Sequence, residues 1–293
     1  MKNLPPVSVV GNGIMGTAIA TRLLEVGHQV TVFDIDKEKV KNLVQKGAKE
    51  AATAEAAARA STFVIISLNT SSIVRRAVFG SEGVAGGCSN DTLVIDMSSI
   101  DPDSTKDMAE ELTKTKGAGW VDAPLSGGAP KALLGKLTVM AGGTEANVQK
   151  AREVMDSLCA NYTHMGPSGA GQTTKMVNQV LCAIGFEAVA EAVRLAEAGG
   201  VDATKLSLAL AGGRADSNIL QEFGPKMAAR DYSPTGRIDN MMKDLEAVQS
   251  FAFSQRLALP VTSTVSDLHR LYLAAGLGDR DTTEIMKYFG GLK

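Results

Sequence analysis

The chain has 293 residues, of which 44% are hydrophobic and 21% are charged, and 30 Lys and Arg stand against 32 Asp and Glu. This length allows one large domain or two ordinary ones, with a core that needs no metal or disulfide to fold. The formal net charge of −2 excludes the strong basic bias of a nucleic-acid-binding protein, so we expect no nucleic-acid partner.

The N-terminal segment lacks the apolar run of a signal peptide, and no stretch reads as a membrane span, so we expect no membrane association. Three cysteines lie far apart without a C-x-x-C pair. This sparse set predicts reduced thiols in a cytoplasmic protein. Because the sequence has no Cys/His cluster and no H-E-x-x-H, no metal site is predicted.

The first 34 residues carry the most informative pattern. The apolar run Val7–Val10 predicts a buried strand, and residues 11–16 read GNGIMG, a G-x-G-x-x-G. Apolar residues at helical spacing follow, and a second strand over 29–33 ends at Asp34. Strand, glycine turn, helix, strand and acid together are typical of a dinucleotide-binding βαβ unit.

Each glycine of this loop has a predicted task. Gly11 permits the tight turn, Gly13 lets backbone amides approach a pyrophosphate, and Gly16 lets helix and strand pack closely. Asp34 is placed to accept hydrogen bonds from the adenosine ribose, which favours NAD while leaving NADP possible. The predicted cofactor loop comprises Gly11, Asn12, Gly13, Ile14, Met15 and Gly16.

Strands and helices alternate through the first half of the chain. Further strands are predicted over 63–68, 92–97, 120–122, 137–141 and 161–165. Helices are predicted over 54–60, 72–79, 104–115 and 147–158, with Asp103 or Ser104 capping the third, and residues 80–87 read as a glycine-rich loop. This alternation predicts an α/β, doubly wound, mostly parallel sheet of the Rossmann type.

From residue 173 onward the periodicity is helical. Helices are predicted over 173–198, 203–211, 217–229, 238–256 and 261–275. We therefore expect a Rossmann domain over 1–165 for NAD, followed by an all-α domain over 166–293 that begins with a long helix and serves substrate binding and dimerisation.

Three stretches carry groups suited to chemistry. In DAPLSGG, the Ser126 hydroxyl and the amides of Gly127 and Gly128 predict a seat for a substrate carboxylate, a plain turn being the alternative. Lys175, near a helix N-terminus that does not favour a cation, is a candidate proton donor, and a solvated lysine is the alternative. Asn178 shares its helix face.

The third stretch is Asp239 to Asp244, where Lys243 is placed to reach the cofactor; an exposed helix charge is the alternative. The three histidines lie outside these motifs, so acid–base chemistry by histidine is not expected, although His164 stays open. No G-x-S-x-G or Ser/His/Asp set predicts a hydrolase.

In this order, the glycine loop with Met15, DAPLSGG and the lysine-bearing segment 166–179 resemble the β-hydroxyacid dehydrogenase family. The resemblance implies reversible hydride transfer between NAD and a small β-hydroxy acid or its semialdehyde, such as 3-hydroxyisobutyrate or tartronate semialdehyde. It implies Lys175 as general acid/base with Asn178 orienting the substrate, a long interdomain helix, and a homodimer or homotetramer. It also implies two sets of contacts: Ser126, Gly127 and Gly128 to substrate, and Leu68, Asn69, Ser99 and Lys243 to cofactor.

The chain departs from the family pattern at three places. Leu68-Asn69 stands where Leu-Pro is frequent, Gln179 stands four residues after the lysine where many members have Asn, and Lys131 stands where many have glycine. The lysine at 131 leaves a threonate-like sugar-acid dehydrogenase as an alternative. Imine reduction and non-catalytic NAD binding on the same scaffold are further alternatives.

Overall fold

The computed structural model describes residues 4–289. It divides into two compact units, of which the first runs to Lys175 and the second begins at Met176. The division falls inside one long helix, Ala170–Ala198. The domain boundary predicted after residue 165 stays a prediction.

A nine-stranded sheet organises the described part of the first unit. Its strands are β1 Val7–Val10, β2 Val30–Phe33, β3 Lys49–Glu50, β4 Phe63–Ile66, β5 Leu93–Asp96, β6 Gly119–Asp122, β7 Leu125–Ser126, β8 Leu137–Gly142 and β9 Cys159–Gly166. The order is β3-β2-β1-β4-β5-β6-β8-β7, with β9 beside β8. All neighbours pair in parallel except β6 with β8 and β7 with β8. The predicted mostly parallel sheet is confirmed.

Helices cover both faces of this sheet. They are α1 Ile14–Glu25, α2 Lys37–Gln45, α3 Ala54–Arg59, α4 Ser71–Phe79, α5 Val84–Gly87, α6 Pro102–Lys116, α7 Gly128–Leu133 and α8 Glu145–Met155. Buried residues of α1, α2 and α8 form one core with the sheet, and those of α3, α4 and α6 form the other. Two cores on opposite faces make the fold doubly wound, as predicted.

Two helix starts differ from the predictions. The prediction that α6 begins at Ser104, capped by Asp103 or Ser104, is wrong. Asp101 is the N-cap, its carboxylate accepting from the Ser104 amide at 2.7 Å, because Pro102 fits the first helical position, where no N–H is needed. Residues 80–87, predicted as a loop, contain α5.

The second unit is helical, as predicted. It holds the greater part of α9 Ala170–Ala198, then α10 Leu206–Leu210, α11 Asn218–Ala229, α12 Ile238–Ser254, α13 Pro260–Ala274 and α14 Ile285–Phe289, with short 3-10 turns at Ala203–Lys205 and Thr282–Glu284. Their apolar faces enclose a single cluster of buried side chains. The short α14 was not predicted.

By length and apolar composition, α9 could cross a membrane, so the expectation that no stretch reads as a membrane span is wrong for this helix. About 33% of its most apolar 18-residue window is buried within the protein. Core helices of soluble proteins pass the same test of length and composition.

The helical core contains a buried polar cluster. The Tyr272 hydroxyl donates to Glu187 Oε2 at 2.8 Å, and His269 Nδ1 lies 3.6 Å from Glu187 Oε1. Glu187 is 4% exposed and His269 1%. Burial raises the pKa of the Glu187 carboxyl from 4.5 to about 7, and burial lowers the pKa of His269. The cluster therefore favours a protonated glutamate and a neutral histidine.

Replacing Glu187 by Gln tests this effect of burial on stability. The folded protein retains a proton on Glu187 that the unfolded chain releases near pH 4.5, so the contribution of Glu187 to wild-type stability falls as the pH rises from about 4.5 to about 7. The variant lacks this titration. In thermal melts, we expect its stability relative to wild type to increase across that range, by about 3 kcal/mol at most.

The matched control is Glu222→Gln, an exposed position on α11. We expect its melting temperature to track that of wild type across the same pH range. Parallel curves for Glu187→Gln and wild type would contradict the raised pKa.

Candidate functional site

The glycine loop between β1 and α1 is shaped by backbone packing. Gly11 has φ +90, and a Cβ there would lie 2.4 Å from the Ser67 carbonyl oxygen. At Gly16, a Cβ would lie 1.8 Å from the Gly11 carbonyl oxygen. Gly13, the N-cap of α1, has no atom within 4 Å of its Cβ position. Two glycines are therefore demanded by the fold, and the third faces open space at the helix N-terminus, where amides lack helical partners.

The Asp34 carboxylate, at the end of β2, closes this loop. Its Oδ2 accepts from the Asn12 amide at 2.7 Å and its Oδ1 from the Asp36 amide at 2.9 Å. Lys39 Nζ lies 3.8 Å from Oδ1. A carboxylate has about four acceptor positions, so Asp34 retains capacity for ribose hydroxyls. Asp34, predicted to bind the ribose, therefore also stabilises the loop by accepting hydrogen bonds from two backbone amides.

The other loop residues divide into buried and open positions. The Asn12 side chain is buried, and its Nδ2 donates to the Phe33 carbonyl at 2.9 Å. Met15 packs against the first core, whereas Ile14 is 83% exposed. Asn12 and Met15 therefore support the loop from beneath, and Ile14 lies at its surface.

The loops that follow β4 and β5 are bonded to each other. The Leu68 amide donates to Ser98 Oγ at 3.0 Å, and the Ser98 amide donates to Asp96 Oδ1 at 3.0 Å. The predicted cofactor residues Asn69 and Ser99 are the next residues of these two loops, Asn69 exposed and Ser99 half-buried. Sequence reasoning missed Ser98, which links them.

Two buried carboxylates stand opposite each other at the ends of β5 and β6. Asp96 and Asp122 are register partners, and both are fully buried. Burial raises the pKa of Asp96 to about 7, and burial also raises the pKa of Asp122. Asp122 Oδ1 accepts from the Gly169 amide at 2.8 Å and Oδ2 from the Gln172 amide at 3.0 Å. Asp122 therefore caps the first turn of α9.

Gln172 connects that first turn to the loop after β5. Its Nε2 donates to the Ser98 carbonyl at 2.8 Å, and its Oε1 accepts from the Ile100 amide at 3.2 Å. Lys175 follows three residues later and is half-buried. Residues three apart lie on the same side of a helix, so Lys175 shares the side that Gln172 directs at this loop.

The segment predicted to seat a carboxylate forms the start of a short helix. Ser126 is half-buried at the end of β7, where it pairs with Thr138 of β8. Gly127 and Gly128 are exposed, have φ of +116 and +64, and lead into α7, which packs against α1. The plain turn considered as the alternative is thus a helix start, and the binding role stays a prediction.

In the helical unit, four polar side chains join α9 to α12. Asn178 Nδ2 donates to Gln179 Oε1 at 2.8 Å, and Gln179 Nε2 donates to Asp244 Oδ2 at 2.5 Å. Asp244 Oδ1 lies 3.3 Å from Lys243 Nζ. The predicted residues Asn178 and Lys243 therefore lie at the two ends of one polar chain, in which the buried Gln179 is the central member.

Two of the three histidines form hydrogen bonds to groups outside the predicted site residues. The His28 ring contacts the Pro5 carbonyl and Ser157 Oγ, at 2.9 and 3.0 Å. His164 Nε2 lies 2.9 Å from the carbonyls of Gly143 and Gly166.

All three cysteines are free thiols, as predicted. Burial raises the pKa of Cys88 to about 11 and that of Cys159 to about 12. Residues 4–289 contain no group of three or more His, Cys, Asp or Glu placed to hold a metal ion.

Two family models together match nearly all of the described residues. The family model for the NAD binding domain of 6-phosphogluconate dehydrogenase matches residues 6–166. The model described as NAD-binding of NADP-dependent 3-hydroxyisobutyrate dehydrogenase matches residues 169–289. The chain is 34% identical to the 2-hydroxy-3-oxopropionate reductase of Escherichia coli, over 95% of this chain and 94% of that protein. The chain belongs to the β-hydroxyacid dehydrogenase family.

Two further relatives agree with this assignment. The NAD-dependent L-serine dehydrogenase of Pseudomonas aeruginosa is 32% identical over 97% of both chains. A solved structure of 3-hydroxyisobutyrate dehydrogenase from Salmonella typhimurium superposes with a TM-score of 0.85 at 30% identity, covering 97% of this chain and 99% of that one. This β-hydroxyacid dehydrogenase is an NAD(P)-dependent oxidoreductase, as predicted.

The residues of the glycine loop fit such a cofactor. The space before Gly13 is open, and the N-terminal amides of α1 begin there. An open helix N-terminus beside a carboxylate with spare acceptor positions suits a pyrophosphate and a ribose.

Two single variants, Gly13→Ala and Gly16→Ala, test separately the approach of the cofactor to the loop and the packing of its backbone. At Gly16, the Cβ would overlap the Gly11 carbonyl, and we expect a loss of about 1–3 kcal/mol in unfolding free energy. At Gly13, the N-cap of α1, we expect a loss of about 0.5–1 kcal/mol, because alanine is a poorer N-cap than glycine, with NADH affinity at least tenfold weaker. Thermal melts and NADH fluorescence titrations measure both quantities. Full NADH affinity in Gly13→Ala would contradict the predicted pyrophosphate approach.

Proposed function

We propose that this enzyme catalyses reversible hydride transfer between NAD and a small β-hydroxy acid or its semialdehyde. The names of the three relatives share one chemical feature: 2-hydroxy-3-oxopropionate, L-serine and 3-hydroxyisobutyrate all carry an oxygen on the carbon β to a carboxylate. The observation that carries the proposal is Lys175, one turn beyond the residue that ties α9 to the Ser98–Ile100 loop.

Lys175 is the proposed general acid/base. Bound NAD would supply the hydride acceptor for oxidation of the alcohol carbon, and bound NADH the hydride donor for reduction of the carbonyl. In the oxidation direction, Lys175 takes the proton from the substrate hydroxyl; in reduction, it gives the proton back to the carbonyl oxygen. Asn178, on the same side of α9, orients the substrate, and the chain through Gln179 and Asp244 limits the rotation of its amide.

Substrate and cofactor contacts are proposed for the remaining site residues. The Ser126 hydroxyl and the amides of Gly127 and Gly128 bind the carboxylate. Both glycines are exposed and lie at the start of α7, where backbone N–H groups lack helical partners, and this supports the proposal. The cofactor contacts the glycine loop and Asp34, and further contacts come from Leu68, Asn69, Ser99 and Lys243.

Asp34 supports a preference for NAD. Its buried carboxylate would repel a 2′-phosphate and is held in place by two backbone amides. Lys39, 3.8 Å away, supplies a compensating positive charge, so we expect a moderate preference rather than exclusion of NADP.

A substrate panel tests the reaction. Hydroxyisobutyrate, serine, glycerate and threonate are oxidised with NAD and with NADP, and initial rates are compared for wild type and Lys175→Met. We expect turnover on at least one acid with a β-hydroxyl group, higher kcat/KM with NAD, and a loss of at least 10²-fold in kcat for Lys175→Met.

The control for this variant is NADH binding, measured by fluorescence. We expect Lys175→Met to bind NADH within about threefold of wild type, which would show that the loss lies in proton transfer. Turnover near the wild-type level in Lys175→Met would refute the mechanism. Activity on threonate alone would favour the sugar-acid alternative.

We propose that the enzyme is a cytoplasmic homo-oligomer. Free cysteines support a reducing compartment. Exposed apolar residues recur along one side of α9, and we call this set the outer stripe of α9: Val177, Leu181, Ala188 and Leu195. Leu181 is 66% and Leu195 77% exposed. A second copy of the chain is the proposed cover for this stripe, because contiguous exposed apolar surface marks an interface.

Light scattering after size-exclusion chromatography tests the oligomer. We expect wild type to elute as a dimer or tetramer and Leu181→Glu with Leu195→Glu to elute as a monomer. The control is Val261→Glu, an apolar residue on α13 that is 57% exposed, and this variant should leave the assembly intact. A monomeric wild type, or its binding to phosphatidylcholine vesicles instead of self-association, would overturn the proposal.

A further inference from the structure

We infer that Gln172 is a positioning residue for Lys175. This inference rests on the proposed function, because it assigns Gln172 a task only if Lys175 moves the proton. Gln172 is 1% exposed, and both polar atoms of its side chain are used on backbone partners, Ser98 and Ile100. A buried amide with donor and acceptor both satisfied has one stable orientation.

The partners of Gln172 are themselves held. The Ser98 amide is bonded to the buried carboxylate of Asp96, and Ser98 Oγ accepts from the Leu68 amide. The loop that receives Gln172 is therefore fixed to the ends of β4 and β5. The glutamine side chain transmits this fixed position to the first turn of α9.

The backbone of that turn is held at a second point. Asp122 accepts from the amides of Gly169 and Gln172. A Cβ at Gly171 would lie 2.5 Å from the Met140 carbonyl oxygen, so the helix start packs directly on strand backbone. Asp122 fixes where α9 begins, and Gln172 fixes its rotation about its own axis toward the Ser98–Ile100 loop.

The rotation of α9 about its own axis determines where the Lys175 side chain lies. Three residues of α-helix advance about 4.5 Å and return to within about 60° of the same side. A change of the helix start by a few degrees therefore moves the Lys175 ammonium along an arc relative to the loop. Misplacing a catalytic group by about 1 Å can lower a rate by about 10²-fold.

The test compares Gln172→Met with Thr174→Val. Methionine keeps the volume and removes both hydrogen bonds. Thr174 donates only to the Ala170 carbonyl within its own helix, at 2.8 Å, so its variant removes a local bond of the same turn. We expect kcat to fall about 10- to 100-fold in Gln172→Met, with the KM for NAD changed less than threefold, and both values to stay near wild type in Thr174→Val.

A double variant distinguishes positioning from general support. In the Lys175→Met background, Gln172→Met should cause no further loss of the residual rate, because the group it positions is gone. A full additional loss would overturn the positioning role. So would an unchanged kcat, or a fall in kcat that is matched by weaker NADH binding.

Gln172→Glu keeps the inference testable if methionine prevents folding. It retains the acceptor for the Ile100 amide, and while the buried carboxyl is protonated it also donates to the Ser98 carbonyl. We therefore expect a melting temperature closer to wild type at low pH and, relative to wild type at the same pH, a loss of kcat that grows as the carboxyl ionises. If Lys175→Met retains turnover, the proposed function fails. If it loses turnover while both Gln172 variants keep theirs, only the positioning role fails.

Discussion

Asp122 is the last residue of β6, and its carboxylate caps the first turn of α9. Its two oxygens accept from the amides of Gly169 and Gln172, and it is fully buried. A buried carboxylate is tolerated only where such donors replace water. The position of Lys175 in space therefore depends on one residue of the sheet, some fifty positions earlier in the sequence.

Asp34 follows the same principle at the end of β2. Sequence reasoning gave it one role, acceptance from a ribose, whereas the structure shows both oxygens already bonded to backbone amides of its own unit. A neutral substitution there would loosen the glycine loop as well as change the cofactor preference. Selectivity and loop shape are consequently coupled, and a change in NADP affinity has to be judged against the stability of the loop.

Local patterns predicted most of the fold because its strands are short β-branched runs and its long helix has clear periodicity. Where the predictions failed, the local signal was weak or pointed elsewhere. Pro102 reads as a loop residue but occupies the first turn of α6. The six-residue helix α7 begins with Gly128 and is too short to show periodicity. Gly11, Gly16 and Asp34 were recognisable because their spacing is itself a constraint of the βαβ turn.

Gln172 could not be found in this way. Its partners lie 72 and 74 residues away, and nothing in GQTTK distinguishes a glutamine that faces water from one that is buried and bonded twice. The same holds for Ser98, whose hydroxyl meets an amide 30 residues earlier. Lys175 could be identified from the sequence because a cation near a helix N-terminus is disfavoured by the helix dipole. The neutral amide of Gln172 is compatible with any position in the first turn of a helix, so the local sequence gives no signal. Its role can be recognised only in the folded structure, where the ends of β4, β5 and β6 lie at one edge of the sheet.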